Sequence, residues 1–411
     1  MNKYLRHTGN SIRVLMDGLM FFPLLLLCLV SRRFHKKIDI GIGPEPIISH
    51  KYQKKALQMY NYSVETYVNS VYFLTKDFDI RGDLYLPKYV ALLLLPYLLF
   101  LVVIFRYKGI YIYFNGGSLF PTKLLWRVEP FLYKIANVKV TVMPYGGDVQ
   151  ELSRSNNLMY KAAISKDYPT FRLKRRKIER RIDMWTKYAD HVISGCDWVE
   201  YMYHWDTLVL AHFTIDEEQW KPVENTIGRS SRSNSLRIFH APNHKAIKGT
   251  KYFVSAVESL KREGFDIELI ILQKVPNEKI KEMILSADII ADQLVIGWYG
   301  MFAVEAMAMG KPVLCYIRPD FEEFFIHEGL LEPDELPIIK CTHRNLKQTL
   351  IDLIENRERL DFIGKNSREF IMKHHSTKSI GKIFDRINRS MGILPSENQS
   401  GFIFTTDESK R

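Results

Sequence analysis

The sequence predicts an α/β chain of two doubly wound, Rossmann-like domains facing each other across a cleft. Three observations carry this. Short β-rich apolar runs alternate with longer helical patterns along the chain. The runs are hydrophobic almost without interruption, as expected of strands buried on both faces of a parallel sheet. The alternation stops once, at the polar, Gly/Ser-rich "NTIGRSSRSNS" (225–235), and then resumes, so that stretch reads as a linker. At 411 residues the chain also exceeds what one core usually organises.

In the first half the expected strands are "IDIGIG" (38–43), "VNSVYF" (68–73), "IYIYF" (110–114), "VKVTVMP" (138–144), "HVISG" (191–195) and "TLVLA" (207–211). In the second half they are "LRIFHAP" (236–242), "IELIILQ" (267–273), "IIADQL" (289–294), "PVLCYI" (312–317) and "LPIIKC" (336–341). Helical patterns cover 248–262, 277–287 and 299–309. The domains are therefore an apolar and basic segment (1–36), a first Rossmann-like domain (37–224), the linker (225–235), a second such domain (236–378), a last helix (379–392) and a polar tail (393–411).

Four widely spaced cysteines, Cys28, Cys196, Cys315 and Cys341, form no CxxC pair, so neither a zinc site nor a disulfide framework is indicated. The net charge of +12 favours an anionic partner. "RLKRRKIERR" (172–181) carries seven Lys/Arg in ten positions and reads either as a solvated helix face or as a contact to an anionic membrane. No nucleic-acid motif accompanies the charge. Two apolar runs bear on the same point. "LMFFPLLLLCLV" (19–30) is only twelve residues long, short for a span. "YVALLLLPYLLFLVVIF" (89–105) has seventeen uncharged residues with Pro96 inside, and reads as a helix packed on a sheet with one face in lipid, ahead of a true span or a fully soluble packed helix. The expectation is a cytoplasmic protein peripherally attached to the inner face of the plasma membrane.

The chemistry is expected at strand ends. Gly-rich loops follow three strands of the first half: "GIGPEP" with Gly43 and Glu45, "NGGS" with Gly116 and Gly117, and "YGGD" with Tyr145 and Asp148. In a doubly wound fold such loops line the cleft. In the second half, "VIGWYG" leads into a helix, placing Gly300, Met301 and Phe302 at a helix N-terminus suited to a phosphate. Glu305 lies about one turn further on, a lone carboxylate among Ala and Met. There it suits the two hydroxyls of a ribose attached to that phosphate.

"YGMFAVEAMAMGKPV" (299–313) resembles the nucleotide-sugar signature of retaining GT-B glycosyltransferases, family 4. "NHKAIKGT" (243–250), "SADIIADQ" (286–293), "FTIDEEQWKP" (213–222) and "IMKHHS" (371–376) are similar to further segments of that family. The resemblance implies the GT-B fold, with the C-terminal helix crossing back to the N-terminal domain. It implies a nucleotide sugar bound by Glu305, Gly300, Met301, Phe302, Asn243, Lys248 and Gln273, with Lys248 on the donor diphosphate. Tyr145 and Asp148 stand at the family's His-Gly-Ser-Asp positions beside the reacting sugar, and Gly43, Glu45, Gly116 and Gly117 stand on the acceptor side. Gly297 replaces the first glutamate of the family's Glu-x7-Glu pair, and Asn243 replaces an arginine.

The implied reaction is sugar transfer with retention to a glycan or lipid-linked acceptor, in cell-surface polysaccharide or glycolipid synthesis, with no cofactor. No Asp-x-Asp pair between suitable strands is present, so metal independence is expected. A GT-B epimerase or hydrolase using His240 or His244 as acid/base, and a non-catalytic nucleotide-sugar-binding module, are the alternative readings.

Overall fold

The computed structural model describes residues 3–71, 76–84, 87–223, 235–273 and 277–396. Most of the expected linker, residues 397–411 of the tail, and Tyr72 and Phe73 of the second expected strand lie outside them.

The first sheet contains β1 (Ile38–Ile42), β2 (Val64–Val68), β3 (Ile80–Arg81), β4 (Tyr107–Tyr113), β5 (Lys139–Met143), β6 (His191–Gly195) and β7 (Thr207–Val209). The second contains β8 (Leu236–His240), β9 (Ile267–Ile271), β10 (Ile289–Ala291), β11 (Val313–Cys315) and β12 (Ile338–Lys340). The sheet orders are β3-β2-β1-β4-β5-β6-β7 and β12-β11-β10-β8-β9. Every pairing is parallel. The central strands are buried along nearly their whole length, as β1, β5 and β10 show. The connection therefore reverses direction between β1 and β4 in one sheet and between β8 and β10 in the other. Loops diverge at these switch points and leave a crevice beyond the carboxyl ends.

The last helix, Thr377–Ser390, does return to the first domain. Ile380, Phe384 and Ile387 pack with Ile40 and Tyr111 of the first sheet. Tyr62 Oη donates to Asp385 Oδ1 at 2.9 Å, and Tyr111 Oη donates to Asn388 Oδ1 at 3.0 Å.

Three expectations need correction. The second strand lies at Val64–Val68, not 68–73. Its Glu65 looks out of place in a sheet until Arg106 Nε and the Tyr107 hydroxyl are seen to donate to it at 2.6 and 3.1 Å. The first apolar run is part of a 29-residue helix, Lys3–Ser31, in which Asn10–Ser31 is long and apolar enough to cross a membrane by length and composition. Its Asp17 is buried: it accepts from Tyr97 Oη (2.6 Å) and from the amides of Lys123 and Leu124 (2.7 and 2.6 Å). Finally, the solvated face, one of the two readings of the basic run, has one exception: Arg181 is buried, while the other six cations of the run are exposed. The run divides into a turn, Phe171–Lys174, and a helix, Arg175–Tyr188, whose Ile178, Arg181, Ile182 and Trp185 are buried.

Candidate active site

In the second domain the loop after β8 enters a short helix, Lys245–Lys248, and β10 ends directly before Asp292. Because β8 and β10 are neighbours, Lys248 and Asp292 meet at the switch point: Nζ donates to Oδ1 at 2.5 Å. The other oxygen of Asp292 accepts the Gly300 N–H at 2.9 Å. Gly300 caps the helix Met301–Ala308. The predicted diphosphate contacts, Lys248 and the Gly300 backbone, are thus brought together. They are not free, however, because a carboxylate the sequence reading passed over holds both. A buried anion at a helix N-terminus, neutralised by a lysine, is favourable on both counts.

Glu305 is 6% exposed, one turn inside that helix, and its charge contributes to raising the Tyr52 hydroxyl pKa, which burial raises most. Phe302 packs edge-on against Phe239 of β8 at 5.6 Å between ring centres. Asn243 is exposed in the loop after β8. Gln273 sits beyond β9, and its amide nitrogen donates to Pro242 O at 2.9 Å, tying the two strand ends together.

Gly297 has φ +103°, and a Cβ there would come within 2.6 Å of the Arg318 side chain. Arg318 takes up the space a side chain at 297 would need. Its Nη1 reaches Glu200 of the first domain at 2.9 Å. Other bonds bridge the two halves close by. Asn157 Nδ2 donates to Val295 O at 2.6 Å, Asp167 accepts the Ile247 N–H at 2.9 Å, and Tyr168 Oη and His244 Nε2 are hydrogen-bonded at 2.6 Å.

Across the cleft, the loops after β1, β4 and β5 lie side by side. Gly43 is required by proximity, since a Cβ would approach Tyr67 O to 2.0 Å. Asn115 ties these loops together: its Nδ2 donates to Glu45 Oε1 at 2.6 Å and to Tyr145 Oη at 2.7 Å. Its Oδ1 accepts from Arg181 Nη1 at 2.6 Å. Burial raises the Glu45 pKa, against the opposing pull of Asn115 and Arg181. Gly116 and Gly117 are shaped by Glu129, whose oxygens accept the amides of Gly117 (3.2 Å) and Leu119 (2.7 Å).

Asp148 is 1% exposed and accepts three backbone amides, those of Phe114, Tyr145 and Gly146, at 2.9–3.0 Å. Burial still pushes its carboxyl up to about 7. These bonds join the β4 and β5 loops and hold the Tyr145 backbone, in keeping with a carboxylate that orients the loop. Tyr145, 36% exposed, keeps its place at the cleft wall. His240 has both ring nitrogens engaged, with Ala291 O (2.8 Å) and Thr250 Oγ1 (2.9 Å), and burial lowers its pKa to about 4. It is a core residue rather than an acid/base. Among the described residues no group of three or more His, Cys, Asp or Glu could hold a metal ion.

Residues 242–370 match the family model of glycosyl transferases group 1. That span holds Lys248, Asp292, Gly300 and Glu305. No curated protein matches the chain. Among solved structures, sucrose-phosphate synthase (tll1590) from Thermosynechococcus elongatus is similar with a TM-score of 0.57 at 14% identity, covering 87% of this chain and 99% of that one. Anabaena Alr3699/HepE, solved with UDP and glucose, is similar with a TM-score of 0.51 at 13% identity, covering 86% and 100%. The chain has the GT-B fold. Lys248, Asp292 and Gly300 belong to the half that matches the family model, and the Glu45–Asn115–Tyr145 cluster belongs to the other.

Sequence reasoning missed Asp292, Asn115, Arg181 and Glu129. Asp292 follows β10 directly and Asn115 stands two residues beyond β4, and that position at a strand end was the available signal.

Proposed function

We propose that this chain is a retaining glycosyltransferase that moves a sugar from a nucleoside diphosphate sugar to a glycan or lipid-linked acceptor, in cell-surface polysaccharide or glycolipid synthesis. The observation that carries the reading is the Lys248–Asp292–Gly300 cluster at a switch point within the segment matching glycosyl transferases group 1. UDP in the similar Anabaena structure favours a uridine nucleotide.

In the proposed reaction the bond between the anomeric carbon and the diphosphate oxygen breaks. A new bond forms from that carbon to an acceptor hydroxyl on the same face. The hydroxyl proton passes to the departing phosphate oxygen. Negative charge grows on the diphosphate, and Lys248 with the helix N-terminus at Gly300–Phe302 stabilises it, without a metal. The incoming diphosphate takes over from Asp292 as partner of the lysine. Glu305 holds the ribose. Glu45 and Tyr145, fixed by Asn115, flank the acceptor hydroxyl.

The protein works on a membrane surface. Leu15, Leu19, Phe22 and Leu26 of the N-terminal helix are 62–73% exposed at helical spacing, and Leu92 and Leu98 of the helix Lys88–Arg106 are 61% and 45% exposed. Exposed apolar side chains at this spacing suit the acyl boundary of a cytoplasmic leaflet.

The test is incubation of the full-length protein with UDP-sugars and a glycan or glycolipid acceptor in chelator, with the anomeric configuration of the product read by NMR. A new glycosidic bond of the donor's configuration is expected. An inverted product, or nucleotide-sugar cleavage unaffected by acceptor, would overturn the reading.

A further inference from the structure

Five cations gather at one corner of the first domain. Lys174, Lys177 and Arg181 follow one another at three- and four-residue spacing, and Lys123 and Arg127 stand near them on the segment after β4. Arg127 and Arg181 share one aromatic ring: their Cζ atoms lie 4.7 and 5.7 Å from the Trp126 centroid. Arg127 Nη1 also donates to Lys123 O at 2.6 Å. Among the described residues none of the five forms an ion pair, although acidic partners serve Arg175 on the same helix. The carboxylates that influence Arg181, namely Glu45, Asp148 and Glu129, are already held by Asn115 or by backbone amides. Most telling is Arg181 itself. It is 6% exposed, and its Nε has no hydrogen-bond partner. A buried guanidinium N–H left unpaired is costly, and a cluster of like charges is costlier still unless an anion relieves it. Lys177 shows the strain: its side chain reaches solvent, yet desolvation first, and then Arg181, Lys123, Lys174 and Arg127, push its ammonium down to about 8.

Two connections say what kind of anion belongs there. On one side the cluster joins the apolar face, because Asp17 of the N-terminal helix accepts the amides of Lys123 and Leu124. Leu124 and Leu173, beside the cations, are 43% and 76% exposed. On the other side Arg181 reaches Asn115, and through it Glu45 and Tyr145 at the cleft. A ligand spanning both sides has an apolar tail, an anionic joint and a polar head.

We propose that Lys123, Arg127, Lys174, Lys177 and Arg181 bind the phosphate or diphosphate of a lipid-anchored acceptor, with its tail on the apolar helices and its glycan end at Glu45 and Asn115. The inference rests on the glycosyltransferase reading and gives that reading its acceptor class. The donor diphosphate is not the anion in question, since its cation, Lys248, lies in the other domain.

The test is titration of the full-length protein, in mild detergent, with farnesyl diphosphate, farnesol, inorganic pyrophosphate and UDP. Farnesyl diphosphate should bind at least about tenfold more tightly than either farnesol or pyrophosphate, a difference of about 1.4 kcal/mol. The exposed-site variant Lys177→Gln, combined with Arg127→Gln, should lose that advantage while its melting temperature and UDP affinity stay those of the parent. Equal binding of pyrophosphate would reduce the cluster to a free-phosphate site and overturn the proposal. So would variants that bind farnesyl diphosphate normally but lose affinity only for phosphatidylcholine vesicles doped with phosphatidylglycerol, since the cluster would then be a diffuse membrane patch. If UDP binds and farnesyl diphosphate does not, this inference alone fails. If neither UDP nor any other nucleoside diphosphate binds, the transferase reading fails first.

Discussion

Lys248 and Asp292 hold each other across the switch point of the second sheet, Nζ to Oδ1 at 2.5 Å, and the second oxygen of the same carboxylate caps the helix at Gly300. One side chain therefore sets both the direction of the lysine and the entry of the helix. Asp292→Asn keeps the shape and removes the charge that aims Lys248. Turnover should fall about tenfold with a smaller change in donor KM, because aim matters most where charge develops. Lys248→Ala should cost more, about 100-fold, since it removes the charge itself. Steady-state rates decide this, and an unchanged kcat in Asp292→Asn would mark the pair as structural only.

Glu305→Gln should leave the protein folded and weaken nucleoside diphosphate binding by about 10- to 100-fold, the worth of hydrogen bonds to a charged acceptor. Calorimetric titration with UDP measures it directly. Unaltered affinity would remove the ribose from this position.

Reinstating the family's glutamate as Gly297→Glu should be harmful. The backbone has φ +103° and the Arg318 side chain fills the space beside it. A loss of about 1–3 kcal/mol in unfolding free energy is expected from the backbone alone. Adding Arg318→Ala should relieve the contact but not the backbone strain, so denaturation of the double variant should recover part of the loss.

Asp148 gives a pH signature. Its folded carboxyl titrates at about 7, above its ordinary value of 3.8. Between those values the folded state binds the extra proton, so this group's contribution to stability falls as pH rises from about 4 to 7 and levels off above. The buried histidines His212 and His375 act oppositely, because their folded pKa values are lowered to about 4 and about 3. Their contribution rises with pH up to the ordinary histidine range. Denaturation midpoints of the parent and of Asp148→Asn at pH 5 and pH 8 separate the two. The parent's stability should drop more across this interval than the variant's, and parallel behaviour would show that Asp148 does not titrate there.

Much of this was legible in the sequence. The parallel sheets, the two halves and the loops after β1, β4 and β5 follow from periodicity, since a strand buried on both faces leaves little doubt about what it is. Lys248, Gly300 and Glu305 stood out because glycine and charge are rare in such surroundings. Asp292 did not, because a single Asp after a strand also reads as a turn residue. Arg181 was hidden differently: in a run of seven basic residues nothing local tells which one turns inward. That is decided by where the helix Arg175–Tyr188 lays its Ile178, Ile182 and Trp185 stripe. The acceptor capacity of Asp148 is visible in sequence, and its three backbone partners are not.

Asp17 has a consequence that reaches beyond its three hydrogen bonds. The Tyr97 hydroxyl and the amides of Lys123 and Leu124 converge on it from two other elements. Sliding the N-terminal helix by even one turn, about 5.4 Å, would sever all three together. A single carboxylate thus fixes the helix register, and with it where the exposed Leu15, Leu19, Phe22 and Leu26 of that helix stand relative to the rest of the first domain.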